Sequence, residues 1–158
     1  MMNAAYSFLF IALPLASVVS KTAAQSTSGC QLGWVGFEAS CYAFLRQKET
    51  WTGAASFCTS LGGYLVTINS KAENDFVVSK LMNKPFMETW IGANDLLEEG
   101  KFRWVSNNEP VVFSDWYRGK ANPVSEIENC VEIYAAWGYI WNNVQCVEQK
   151  EFVCEKAK

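Results

Sequence analysis

The chain has 158 residues, half of them apolar and 15% aromatic, with 13 Lys and Arg against 16 Asp and Glu and no histidine. Such a composition suits one packed domain and excludes a disordered chain. The missing histidine excludes Ser-His-Asp and Cys-His nucleophiles and His-ligated zinc, and the small acidic excess gives no basis for binding nucleic acid.

In chain order, the first feature is an uncharged apolar run from Ala4 to Val19, polar only at Ser7 and Ser17. It is short for a membrane span and Pro14 interrupts it. Thr22-Ala23-Ala24 before Gln25 then fits the small-x-small rule of signal peptidase, although the usual positive opening is absent. The expectation is a signal peptide over residues 1–24, a mature domain over 25–158, secretion, and no membrane span after processing. In that compartment the cysteines at 30, 41, 58, 130, 146 and 154 read as disulfides. No Cys-x-x-Cys pair argues for a redox centre or a zinc ribbon. Fifteen pairings are open; spacing suggests Cys30–Cys41 as a local clip and leaves the other four unsettled.

Trp34 to Leu45 is aromatic and apolar with short polar breaks, predicting a hairpin. Thr50 to Leu61 carries Trp51, Ala54, Ala55, Phe57, Cys58 and Leu61 at helical spacing and stops at Gly62-Gly63. Tyr64 to Ile68 reads as a short buried strand. Ser70-x-x-Glu73 is a capping box opening a second helix, which Ala72, Phe76, Val77, Lys80 and Leu81 continue until Lys84-Pro85. After Pro85 come short apolar runs (TWIGA, KFRWV, NCVEIY, YIWNN, EFVCE) between polar loops, with no convincing helical period. The longest irregular stretch, Ser106 to Asn129, is of a length usually tied to function. The predicted class is α+β: two early helices, small antiparallel sheets and a loop-rich second half.

Several short motifs stand in one order: Cys41-Tyr42, Trp51-x6-Cys58, Trp90-Ile91-Gly92-Ala93, Glu128-Asn129-Cys130, Trp141-Asn142-Asn143 before Cys146, and Phe152-Val153-Cys154-Glu155. Together they resemble a C-type lectin-like domain in its long form over Cys30 to Glu155, close to the soluble, perlucin-like invertebrate lectins. The resemblance implies disulfides Cys30–Cys41, Cys58–Cys154 and Cys130–Cys146. It also implies a non-enzymatic secreted protein of innate recognition, mucus or matrix, whose partners are glycans or glycoproteins and which is open to homo-oligomer formation.

In the family a calcium ion held by loop carboxylates and amides binds sugar hydroxyls, chemistry that suits a shell of six to eight hard oxygens. Carried over by position, Glu128, Asn142 and Asn122 match the ligand pattern. Lys120 and Ala121 replace the first two members of the usual triplet, and Asn143 replaces an Asp. Lys120 has no acceptor atom and brings a positive charge to a ligand position. The carbohydrate-binding set is thus Lys120, Asn122, Glu128, Asn142 and Asn143. Asp95 and Glu99, with Glu128 shared, match a second calcium position, where Pro123 replaces an acid. Glu73, Glu155 and the Thr67 carbonyl match a third, although the capping box explains Glu73 more simply. Two readings follow: a calcium-assisted lectin with a divergent Lys-Ala-Asn triplet, or a lectin-like domain binding protein, mineral or anionic ligands without calcium or sugar. In the second, Lys120 pairs with Glu128 or joins Arg118 in attracting an anion. Trp116, Tyr117 and Trp137 are candidates to stack on a sugar face, against ordinary packing. A hydrolase is disfavoured by the lack of histidine and of any isolated carboxylate pair.

Overall fold

A computed structural model describes residues 29–119, 121 and 127–158. The signal segment and the candidate ligands Lys120 and Asn122, with Pro123, lie outside the described residues.

The chain opens with the expected hairpin, β1 (Val35–Phe37) against β2 (Ser40–Glu49). Strand β2 runs antiparallel to β8 (Lys150–Ala157), so the two ends of the domain are laced together. Helix α1 (Trp51–Ser60) begins where the Thr50 hydroxyl accepts the Gly53 N–H at 3.1 Å, a side-chain cap for an otherwise orphaned donor. It buries Trp51, Ala54 and Cys58, one face at helical spacing. Gly62 follows at φ 74°, a left-handed turn that glycine adopts without Cβ strain.

The strand expected over Tyr64 to Ile68 is shorter: β3 is Tyr64–Leu65, paired with β8. Val66 and Ile68 are still fully buried, but the backbone beyond β3 bonds sideways: the Val66 N–H donates to Val153 and the Val66 carbonyl accepts the Gly92 N–H. That approach explains the glycine of Trp-Ile-Gly-Ala, since a Cβ at Gly92 would lie 2.6 Å from the Leu65 carbonyl oxygen. Helix α2 (Lys71–Asn83) starts with the Ser70 hydroxyl accepting the Glu73 N–H at 3.2 Å. The reciprocal bond of the capping box shifts by one residue, because Glu73 accepts the Asn69 N–H at 2.8 Å. Ala72 is exposed, and Asn74, Val77 and Leu81 are buried.

The apolar runs of the second half become β4 (Glu88–Asn94), β5 (Arg103–Trp104), β6 (Cys130–Tyr134), β7 (Ile140–Val144) and β8. They do not form separate antiparallel sheets. Among the described residues all strands join one sheet of order β1-β2-β8-β4-β6-β7, with β3 against β8 and β5 against β4, and β4 lies parallel to β8. Its central strands are covered on both sides, which is why they read as continuous apolar runs. Ile91, Val131, Ile133, Trp141 and Val153 face one cluster with Trp104, Val77 and Leu81. Trp90, Cys130, Phe152 and Cys154 face the other, with Trp51, Ala54 and Leu65. Neighbours in sequence therefore serve opposite cores. Disulfides join Cys30–Cys41, Cys58–Cys154 and Cys130–Cys146, the pairings implied by the resemblance. The second spans 96 residues, for which loop-closure entropy is roughly 4.5 kcal/mol.

Candidate functional site

Of the described candidate ligands, Glu128 lies just before β6 and Asn142 and Asn143 lie in β7. The Asp95 N–H donates to the Asn129 carbonyl at 3.1 Å, which holds the loop after β4 against the Glu128-Asn129-Cys130 run. On β7, Asn143 is buried and its amide donates to the Glu128 carbonyl at 2.8 Å. Strand alternation turns Asn142 to the other side of the sheet, opposite Glu132, where its amide donates to Glu132 Oε1 at 3.1 Å. Asn143 thus fixes the Glu128 backbone, while Asn142 is held by a second group of charges.

Lys150 organises that group. Its side chain is only 2% exposed, with Nζ 2.6 Å from Glu148, 3.1 Å from Glu132 and 3.7 Å from Glu88, and 5.2 Å from the centre of the Trp90 ring. Burial pulls the Lys150 ammonium down, but Glu148 and Glu132 outweigh it and the net direction is up. Burial pushes the Glu132 carboxyl up, partly offset by Lys150 and Asn142. A buried charge is tolerated only when paired and hydrogen-bonded, and this cluster supplies both. Sequence reasoning missed Glu132, Lys150 and Asn74. Alternation in Cys130–Tyr134 carried the signal for Glu132, since it sits two residues from buried Cys130; nothing local marked Lys150.

Asp95 is 4% exposed. Its Oδ2 accepts the Gly100 N–H at 2.8 Å, closing the 95–100 turn, whereas its buried Oδ1 has no hydrogen-bond partner among the described residues. Burial raises this carboxyl above its ordinary range, and the Gly100 amide opposes that. An orphaned buried carboxylate oxygen has the hard-donor chemistry that suits a cation. Glu99 is exposed on the same turn. No trio of acidic or cysteine side chains converges as a metal cluster among the described residues.

At the third position, protein donors already occupy the carboxylates. Glu155 Oε1 accepts from the Ser40 hydroxyl at 2.7 Å, and Oε2 from the Thr67 N–H at 3.0 Å. Glu73 Oε1 accepts from Tyr42 at 2.7 Å, and Oε2 from Asn69. A cation here would compete with four donors, so these residues do not present a ready cage. Burial raises Glu155, with Thr67 and Ser40 opposing. Burial and then Glu155 push Tyr64 up to about 12, and burial with Glu73 pushes Tyr42 further.

The aromatic candidates are packed. Trp116 lies edge-on to Trp141 with centroids 5.6 Å apart, and against Phe102. Tyr117 stacks on Trp137 at 4.4 Å, Tyr134 meets Trp137 edge-on, and Arg118 caps the other end 5.1 Å from the Tyr117 ring. The ladder pins the 117–119 turn to the β6–β7 connection. Deeper, Asn74 receives the Trp141 indole N–H at 2.9 Å and donates to Asp115 at 3.0 Å, tying α2, β7 and the long loop at one buried amide.

The family model described as the Lectin C-type domain matches residues 47–156. A "Perlucin-like protein" of Mytilus galloprovincialis is 35% identical over 128 residues, covering 79% of this chain and 81% of the relative. The carbohydrate-recognition domain of cow CD23, solved in the presence of a GlcNAc2Man3 oligosaccharide, matches with a TM-score of 0.73 at 32% identity, covering 82% of this chain and 96% of that one. A calcium-independent type II antifreeze protein matches equally well in shape, with a TM-score of 0.73 at 25% identity, covering 81% and 94%. The same fold therefore carries sugar-site and calcium-free members. With its strand order, three disulfides and motif series, the chain belongs to the C-type lectin domain family.

Proposed function

We propose that this chain is a secreted carbohydrate-binding lectin whose long-loop face takes a sugar with the help of calcium. The observation that carries the reading is Asp95, whose buried Oδ1 is an unmatched acceptor on a turn bonded to the Glu128-Asn129 backbone. Glu128, Asn122 and Asn142 would hold the sugar-side ion, Asn143 would position the Glu128 backbone from the opposite face of β7, and Asp95 with Glu99 would hold the neighbouring ion. Calcium supplies a hard electrophilic centre whose shell vicinal hydroxyls complete. This chain's own residues prepare the surroundings: Asn143 fixes the Glu128 carbonyl, and Glu132 with Lys150 holds the Asn142 amide. Residues 1–24 act as the signal peptide, and the three disulfides suit the secreted compartment this implies.

The test is thermal unfolding in calcium and in EDTA, beside a glycan array under the same two conditions. Calcium is expected to raise the melting temperature by mass action. Asp95→Asn is expected to abolish that rise while leaving the protein folded, and array signals are expected to vanish in EDTA. No glycan signal in either condition, with no calcium shift, favours the second reading. Lys120 supports that reading, because a lysine at a ligand position gives no oxygen to a metal. Calcium-free recognition of an anionic ligand by Lys120 and Arg118 would then describe the site.

A further inference from the structure

A separate cavity of about 260 Å³ opens between the turn after β4 and strand β5. Its floor is Trp51 and Trp104, both buried, and its upper wall is Leu96, Leu97 and Val105. Those three are 51%, 78% and 41% exposed, so an apolar surface is kept in water around a concave site. Lys101 and Arg103 stand at the rim.

The rim is built to receive an anion. Arg103 Nη1 donates to the Asn108 carbonyl at 2.9 Å, its one side-chain partner among the described residues. One of five guanidinium donors is thus committed, which sets the fork's direction and leaves the rest for a ligand. Asn108 sits at φ 60°, an uncommon left-handed conformation for a residue with a side chain, and this turn presents its carbonyl to Arg103. Lys101 pairs at 2.5 Å with Glu98, but both side chains are more than half exposed, and such a pair exchanges readily for another anion. The walls are positioned by groups with no other evident task. Asn94 Oδ1 accepts the Leu96 N–H and Asn94 Nδ2 donates to the Arg103 carbonyl, joining both sides of the opening.

We propose that this cavity binds a single-chain anionic amphiphile: an apolar tail on Trp51, Leu96, Leu97 and Val105, and a carboxylate head on Arg103 and Lys101. A few apolar walls with a small number of convergent polar groups is the usual make-up of a small-molecule site. The tail alone would accept a neutral hydrocarbon; the rim selects the charge.

Calorimetry with decanoate below its micelle concentration, in EDTA, tests this independently of sugar or calcium binding. A Kd of roughly 0.1 mM is expected for a ligand of this size. The methyl signals of Leu96, Leu97 and Val105 should shift in NMR spectra. Arg103→Gln should weaken decanoate about tenfold through loss of the charged fork, and Leu97→Ser about tenfold through loss of tail burial. Leu97 is exposed, so its variant keeps the fold even if the Arg103 variant does not. Decanol should bind several-fold more weakly than decanoate. No saturable binding, equal affinity for decanol and decanoate, or indifference to both variants would overturn the proposal. So would sedimentation with phosphatidylcholine–phosphatidylserine vesicles without decanoate binding, which assigns the patch to a membrane surface.

Discussion

The half of the domain built from β2, β8, α1 and β3 and the half built from the long loops between β4 and β6 are stabilised by different physics. In the first, strands are paired along their length, Phe152, Trp51 and Leu65 are buried, and Cys58–Cys154 ties the helix to the sheet. In the second, β5 has two residues and single contacts hold the chain. Among them are the Asp95 N–H on Asn129, the Thr67 hydroxyl 2.8 Å from that of Ser106, and the Trp141 N–H on the Asp115 carbonyl, with Phe102, Phe113 and Trp116 packed on the core. A region held at points can change its surface residues without disturbing the sheet beneath. Substitutions in ligand-bearing loops of this family are therefore compatible with an intact fold.

The sharpest way to break the comparison is through the disulfides. Replacing Cys58 and Cys154 together by alanine should cost about 2–5 kcal/mol, read as a fall in the urea midpoint. Replacing Cys130 and Cys146, which close only 16 residues, should cost less, about 3 kcal/mol at most. If the second pair proved the costlier, the β6–β7 end and not the laced termini would carry the stability.

A smaller effect should appear where the halves meet. Asn74→Ala removes the acceptor of the buried Trp141 indole N–H and the donor to Asp115, an expected loss of about 1–3 kcal/mol. Hydrogen exchange distinguishes this from uniform weakening. The Trp141 amide, bonded to the Asp115 carbonyl, should exchange faster, while amides in β2 and β8 keep their relative protection. Uniform loss of protection would mean the loop is no less anchored than the sheet.

The same boundary marks what could be read from the sequence. Both helices, the capping box of the second and the apolar runs that become the strands were legible because apolar period and breakers report burial locally. A departure there has a local cause: β3 ends early because Val66 turns its backbone to Val153 and Gly92. The site was legible only as a family pattern. That Asn142 and Asn143 face opposite sides follows from strand alternation, yet their partners Glu132 and Glu128 depend on the β6–β7 register. Lys150 was not legible at all. A lysine is buried by the carboxylates around it, and those come from β4, β6 and the turn before β8.

The smallest expected effect lies in the laced half and has a defined pH window. Tyr64 lies beside the Glu155 carboxylate, and burial with that neighbour raises Tyr64 from 10 to about 12. A group whose folded value is raised contributes stability that is whole below its unfolded value and disappears as pH climbs through the folded one. Stability should therefore fall between pH 10 and about 12 as Tyr64 is forced to ionise against burial and the Glu155 carboxylate. Tyr64→Phe should cost about 1 kcal/mol or less at neutral pH through the lost polar contact with Glu155, then lose less than the parent across that window. The 295 nm tyrosinate titration of the folded protein should lack the component near pH 12 in the variant. Tyr42, held by Glu73, should stay protonated beyond it. Equal slopes for parent and variant from pH 10 to 12 would mean that Glu155 meets Tyr64 as a solvated neighbour, and that the β3–β8 contact is no tighter than the loops it was set against.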